Sequence, residues 1–460
     1  VAHEPPAGPL TPGGFDTPRD VAAGLPLLLV EQWRASDRTD DDARRLLSRH
    51  EVRGYSVVSD SAGLTRLSQR LGLLEVLALI DRPKRILHTC ARAAGGRAVG
   101  VWAADNAQLF HPETVKASTL LSALLTAQDE IRRHCEVRIG IGVHLGSYYE
   151  LSGGLYGAEA DAVEEFAEND TEGGEIAVTQ AVVDRLPQGH PFVLSRKDGI
   201  DGLVGPVHQV LDGPRLDIPG LGETWAAAGW PGESASTDQS GFADQSGSTG
   251  QSGFAGQSGA NGQEHYPIPY SGAFYADLLL LDSRPGDAEL AERLAAEHLR
   301  ERTVVLVERS AAPADTPEVE LLRGLSLSAA MRDVGLGLLP PEGAVEVKVA
   351  GPLGIYLFDE PAPALRFALG LRTGLAKREI VGRIGVASGP VLAGRTPGGG
   401  WDIAGAPVNL ASKMAQDLGT PGRVHLSETV RAALDDHADL AGFEAVRRTV
   451  SGVEMTYYAG

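Results

Sequence analysis

A six-residue period, Gln-Ser-Gly at 239, 245, 251 and 257, is the feature that most restricts how this 460-residue chain can fold. From residue 231 onward glycine, serine, alanine and glutamine dominate. Such a run buries too little apolar surface to offset the entropy of ordering it, so it is expected to be a flexible tether. By random-coil scaling its thirty-odd residues span roughly 30 Å, enough to let flanking domains face each other. The expected layout is a disordered, proline- and glycine-rich 1–20, a unit over 21–212, a linker over 213–270 and a second unit over 271–460.

The two units read as one pattern written twice. In the first, strands are expected at Leu25–Val30, Tyr55–Ser59, Arg97–Trp102, Asn106–Phe110 and Val137–Val143. Helices are expected at Asp40–His50, Ser61–Leu79, Lys84–Ala94, Val115–His134, Ala160–Glu168 and Gln180–Leu186. Beyond the tether, a strand Ala276–Asp282, a helix Asp287–Arg302 and a strand Thr303–Glu308 reproduce that strand–helix–strand opening. Gly96–Trp102 pairs with Gly343–Val349, Phe110 with Phe358, Arg138-Ile139-Gly140-Ile141 with Arg383-Ile384-Gly385-Val386, and Glu175–Thr179 with Arg423–Ser427. Strands alternating with long helices indicate an α/β or α+β sandwich, here two in tandem.

Composition narrows the function. A net charge of −20 argues against non-specific nucleic-acid binding, and an anionic substrate would need local positive charge or metal. Two cysteines without CxxC spacing, no signal-peptide pattern and no run of eighteen apolar residues lead to the expectation of a cytoplasmic protein with no membrane span. Phosphate-loop and GxGxxG patterns are missing, which disfavours the commonest ATPase and dinucleotide folds. Only six of the 41 basic residues are lysines, so each lysine position is informative.

Two constellations carry chemistry. In the second unit, Gly398–Met414 reads as a glycine-rich turn, a short extended piece and a helix starting near Pro407. Asn409 and Lys413, four apart, share one helix face, and Asp402 stands just before it. In the first unit, Ser59-Asp60-Ser61-Ala62-Gly63-Leu64-Thr65 follows a strand, and Ala103-Ala104-Asp105-Asn106 lies between two strands. Two carboxylates at strand ends suit oxygen-seeking divalent cations.

These runs resemble class III nucleotidyl cyclase catalytic domains, over roughly residues 54–190 and 302–458. The resemblance implies two ferredoxin-like, cyclase-type domains paired head to tail as an intramolecular pseudo-dimer. It implies Asp60 and Asp105 as ligands of two Mg²⁺ or Mn²⁺ ions, and Lys348 with Asp402 as the purine reader. It also implies Asn409 as the group that orients the ribose and Lys413 as the transition-state cation. Adenine offers an acceptor at N1 and a donor at its 6-amino group, matching a lysine and a carboxylate, whereas guanine would mismatch both. The implied activity is conversion of ATP to 3′,5′-cyclic AMP and pyrophosphate at one composite site.

In the second copy Pro352 stands at the position of Asp105, and Glu308 roughly at that of Asp60. In the first copy the reader positions hold Val101, Gly154, Asp161 and Glu165, so a second pocket would be degenerate. Three departures from the family keep an alternative open, a catalytically lapsed regulatory module that binds nucleotide. Lysine replaces the usual arginine at 413, Ser451 replaces a phosphate-binding lysine with Arg447 or Arg448 nearby, and Ala104 replaces a glycine.

Overall fold

The computed structural model describes residues 25–63, 67, 70–99, 107–200, 205–219, 221, 272–395, 401–434, 437–450 and 453–460. Among the described residues, two eight-stranded sheets account for the strands, and they have the same topology. The first runs β2 (Arg97–Val99), β3 (Ala107–Pro112), β1 (Glu51–Ser61), β4 (Ile139–Leu151), β6 (Ile176–Thr179), β8 (Val207–Asp212), β7 (Val193–Lys197). The second runs β10 (Ala344–Ala350), β11 (Leu353–Phe358), β9 (Leu299–Arg309), β12 (Gly382–Arg395), β14 (Val424–Ser427), β16 (Val453–Ala459), β15 (Glu444–Val450). Two short strands, β5 (Gly154–Tyr156) and β13 (Trp401–Ala404), hang off β4 and β12 as hairpins. The fold is α+β, repeated.

Helices cover both faces of each sheet. In the first copy α3 (Leu73–Ala93) and α4 (Ala117–His134) lie on one face and α5 (Ala158–Asn169) on the other, with the short α6 (Gln180–Val183) after β6. In the second copy α9 (Pro317–Leu338) and α10 (Pro361–Ala376) oppose α11 (Ala406–Gln416), and α12 (Glu428–Ala433) follows β14. Strand alternation sorts the β9 side chains: Val305 and Val307 join the α9–α10 side, Val304 and Leu306 the α11 side.

The opening of each copy differs from the sequence expectation. Leu25–Val30 and Ala276–Asp282 are not strands; they lie in or beside α1 (Leu27–Ala35) and α7 (Gly272–Ser283). A short apolar run fits a strand or a buried helix equally well, and here the flanking residues extend it as helix. With α2 (Asp40–Leu47) and α8 (Ala288–His298), each copy begins with a helical pair. The pairs are exchanged. Leu29, Val30, Trp33, Leu46 and Leu47 pack with Leu322, Leu325 and Ala329 of α9 in the other copy. Reciprocally, Phe274, Leu278, Leu281, Leu290 and Leu294 join the apolar cluster built on α3 and α4.

Polar contacts reinforce the second exchange. Asp282 accepts from Arg82 Nε and Arg85 Nη2, each at 3.0 Å, and Asp81 accepts from Arg85 Nε at 2.7 Å and from the Tyr275 hydroxyl at 3.0 Å. These groups are largely buried, so each charge needs the partners it has.

Three further expectations need correction. Of the helix expected at Ser61–Leu79, Ser61 ends β1 and Leu73–Leu79 are continuous with the helix expected at Lys84–Ala94, forming one helix, α3, which runs through Pro83. Proline removes an intrahelical donor, and here packing on several sides outweighs that loss. Residues 213–219 and 221, expected to begin the linker, still belong to the first copy. The Leu216 amide bonds Thr126 Oγ1 at 2.9 Å, and Leu221 is buried in the first core. The tether itself lies outside the described residues.

The repeat register also shifts. Ile141 pairs with Ile176 and Ile384 with Val424, so Ile141-Gly142-Val143 matches Ile384-Gly385-Val386, two residues on from the Arg-Ile-Gly alignment. Phe110 and Phe358 are likewise not equivalent, for Phe110 faces the α5 side of its sheet and Phe358 the α9–α10 side.

Candidate active site

The run that carries Asp402, Asn409 and Lys413 folds as its residues suggest. Gly405, with φ of 149°, caps α11, and a Cβ there would sit 2.7 Å from the Pro390 carbonyl oxygen. Pro407 lies in the first turn, where a missing amide donor costs nothing. Gly385 sets the depth of the helix on the sheet, because a Cβ would come within 2.2 Å of the Ala411 carbonyl oxygen. Buried Ala411, Met414 and Ala415 anchor the inner face, leaving Asn409 exposed and Lys413 half-buried. The Lys413 ammonium is 3.8 Å from Asp417 one turn on, a loose surface pair of little strength.

Lys348 reaches the same side of the sheet through a β-bulge. Glu346 pairs with Tyr356 and Lys348 with Ile355, adjacent rungs, so Val347 is the extra residue. Without the bulge Lys348 would share the face of Glu346, which is buried and accepts from Arg332 Nε at 2.8 Å. With it, Lys348 is placed with Ile355 on the α11 face.

Strand β13, holding Asp402 opposite Gly394, lies against β10. Burial pushes the Asp402 carboxyl above its ordinary range. Lys348 opposes that shift most, followed by the Ile403 amide and by Lys84 of the first copy. Lysine 348 and Asp402 are thus electrostatic partners.

On the metal-donor side, Asp60 is half-buried at the end of β1, opposite Gly140. The chain then turns, with the Ala62 amide on the Arg138 carbonyl at 2.9 Å and Gly63 at φ 77°. A half-exposed carboxylate at a strand end before a tight turn is an oxygen donor suited to a hard divalent cation. Asp105, Ala104, Val101 and Ser451 lie outside the described residues. By strand register the counterpart of Lys348 is Val99, not the expected Val101, because Val99 pairs with Gln108 and Lys348 with Ile355 on equivalent rungs.

The second copy lacks the same donors. Ser59 pairs with Ile141 and Val307 with Ile384, which makes Glu308 the counterpart of Asp60. Glu308 is held in an ion pair by Arg383, and Pro352 offers only its backbone carbonyl, which accepts from the Arg309 amide at 2.9 Å.

A cleft of about 560 Å³ joins the copies and reveals how they pair. Gly154, Asp161 and Glu164 of the first copy line it together with Arg309, Lys348, Gly351 and Pro352 of the second. By hairpin and helix register, Gly154 and Asp161 are the counterparts of Asp402 and Asn409. Reader positions of one copy therefore face metal positions of the other. Three carboxylates, Asp161, Glu164 and Glu320, share this cleft with the cations Arg309 and Lys348. Asp161 and Glu164 are exposed residues, yet partial withdrawal from solvent within the cleft raises the Asp161 carboxyl, with Glu320 adding to it, and pushes Glu164 up to about 7, with Asp161 and Glu168 adding.

Three features of the site were not read from the sequence. The bulge is invisible to alternation patterns, and Lys84 sits in what looks like an ordinary amphipathic helix. The buried Arg332–Glu346 pair had no local signal at all.

Residues 356–458 match the family model described as adenylate and guanylate cyclase catalytic domain. No curated protein matches the chain. Among solved structures, the adenylyl cyclase CyaB from P. aeruginosa is 18% identical, covering 36% of this chain and 97% of that one, with a TM-score of 0.31. The catalytic core of a rhodopsin-guanylyl cyclase with converted specificity, in complex with ATPαS, is 23% identical over 35% and 97%, with a TM-score of 0.29. The guanylate cyclase domain of RhGC from Catenaria anguillulae, in complex with GTP, is 20% identical over 35% and 94%, with a TM-score of 0.27.

Proposed function

We infer that this chain, whose second copy carries a class III nucleotidyl cyclase catalytic domain, is an adenylate cyclase that converts ATP to 3′,5′-cyclic AMP and pyrophosphate at one composite site. The observation that carries the base preference is the electrostatic partnership of Lys348 with Asp402, on the adjoining strands β10 and β13. A lysine donor and a carboxylate acceptor match adenine's N1 and 6-amino group and mismatch guanine's.

In this reading Asp60 and Asp105 of the first copy hold two Mg²⁺ or Mn²⁺ ions. Such ions, when bound, supply Lewis acidity to the ribose hydroxyl and offset the triphosphate charge. Asn409 orients the ribose from the exposed face of α11. Lys413, loosely tied to Asp417, is able to swing toward phosphate oxygens and stabilise charge that builds there during ring closure. Lysine supplies a point charge in place of a bidentate fork, so turnover slower than with arginine is expected.

A non-catalytic nucleotide-binding module is the second reading, favoured by the lysine at 413 and its existing acidic neighbour. Incubating the purified chain with ATP and Mn²⁺ separates the two. Cyclic AMP with equimolar pyrophosphate supports the enzyme. Bound ATP without product supports the module, and a preference for GTP would overturn the base assignment.

A further inference from the structure

Helix α3 of the first copy carries Asp81, Lys84, Arg85 and His88 at helical spacing, all of them buried. Asp81 and Arg85 hold each other and reach Tyr275 and Asp282 of α7. His88 is kept neutral by burial and by Arg92, its pKa lowered to about 4. Lys84 lies one turn from both Ile80 and His88 and is only 3% exposed. A lysine this buried is uncommon and implies compensating negative charge.

One acidic group within its electrostatic reach is Asp402, beside the partners Lys84 already has. Leu392 and Ala404, paired across the hairpin that bears Asp402, share one apolar cluster with α3, α7 and α8. Asp402 lies within electrostatic reach of Lys84 as well as of Lys348. Three of the chain's six lysines (84, 348 and 413) thus belong to helices and strands that converge on one region, one of them contributed by the other copy.

We propose that Lys84 is a positioning residue for base reading: from the metal-donor copy it holds the Asp402 carboxylate charged and aimed toward the purine, so that the reader is complete only when the two copies are paired. This rests on the reading of Asp402 as the adenine acceptor. A carboxylate flanked by two cations keeps its acceptor character in a site where burial favours protonation. Lys348 then remains available to donate to N1, because Lys84 shares the task of neutralising Asp402. The same stripe of α3 grips α7 through Asp282, so the position of the exchanged helical pair and the state of the reader are borne by one helix.

A mutant cycle on the full chain tests this. Lys84→Met and Asp402→Asn are compared singly and together by thermal midpoint, and the single variants by KM and kcat for ATP. The expected result is non-additive midpoints, with a coupling equivalent to about fivefold in the unfolding equilibrium, within the usual range for contacting charges. Lys84→Met should also raise KM for ATP about fivefold or more, a larger change than in kcat, and Lys84→Arg should restore most of it. If Lys84→Met does not fold, Lys84→Gln takes its place in the cycle. Additive midpoints would overturn the pair, and coupled midpoints with unchanged KM would overturn its role in reading. A wild-type chain that neither turns over nor binds ATP would sink the cyclase reading instead, while the midpoint cycle would still decide the pair.

Discussion

The region around Asp402 and Asn409 and the cleft lined by Gly154 and Asp161 are built on equivalent elements of the two copies, yet they carry different side chains. Where the second copy has Asp402, Asn409 and Lys413, the first has Gly154, Asp161 and Glu165. Where the first copy has Asp60, the second has Glu308 already claimed by Arg383. Topology, register and helix placement are shared, so the difference is made by a handful of side chains and one bulge. The comparison teaches that pairing geometry is a property of the fold, whereas substrate chemistry is a property of positions that can be lost in one copy without disturbing the other.

The sharpest way to break this contrast is to remove the metal side. Asp60→Ala or Asp105→Ala is expected to abolish turnover, a loss of at least about a thousandfold if either cation site is emptied. Asp60 is half-exposed at a strand end, so the thermal midpoint should move little. Near wild-type cyclic-nucleotide production in either variant would contradict the metal assignment.

A second large effect should come from the exchanged helices, which hold the two regions in register. Trp33 is 3% exposed in the cluster that joins α1 and α2 to α9 of the other copy. Trp33→Ala is expected to cost about 3–5 kcal/mol of stability, as large-to-small core changes do. Chemical denaturation measures this directly. A cost under about 1 kcal/mol would mean that the helical pair is peripheral to the pairing of the copies.

Base reading offers a smaller but more specific test. Exchanging Lys348 for Glu and Asp402 for Cys inverts the donor and acceptor order toward guanine. An unmatched buried polar group costs about 1–3 kcal/mol, so preference for ATP over GTP should fall at least roughly tenfold. Retention of full ATP preference by the double variant would reduce Lys348 and Asp402 to ordinary charges.

Much of this was legible in the residues, for identifiable reasons. The repeat showed because both copies need the same strands, and the Gly398–Met414 run showed because a glycine turn, a proline in the first helical turn and i,i+4 polar residues each leave a local mark. What was missed depends on distant partners. Leu25–Val30 and Ala276–Asp282 looked like strands because an apolar run does not say whether a sheet or a helix from another copy will cover it. Pro83 looked like a helix boundary because the packing that overrides it lies around α7. The Arg-Ile-Gly alignment slipped by two residues because Ile139-Gly140-Ile141-Gly142 contains the same pair twice; only the partner strand distinguishes Gly142, where a Cβ would meet α5, from Gly140, where it would meet Thr171.

The smallest predicted effect sharpens the other half of the comparison, the mutual repulsion of the carboxylates in the second cleft. Glu164 has an ordinary carboxyl value of 4.5, and in the folded chain burial and its acidic neighbours push it up to about 7. Its folded value lies above its unfolded one, so ionisation is harder in the folded state. The resulting destabilisation is absent below about 4.5, grows as pH rises toward about 7, and is fully present above that. Glu164→Gln should therefore raise the thermal midpoint at pH 8 and leave it nearly unchanged at pH 4.5. The gain should be modest, because Glu164 stands on the open side of the cleft where solvent screens it. An equal gain at both pH values would point to better packing, not relieved repulsion. No gain at pH 8 would mean that Asp161, Glu164 and Glu168 do not repel one another enough to matter, and the contrast between the two regions would have to rest on other positions.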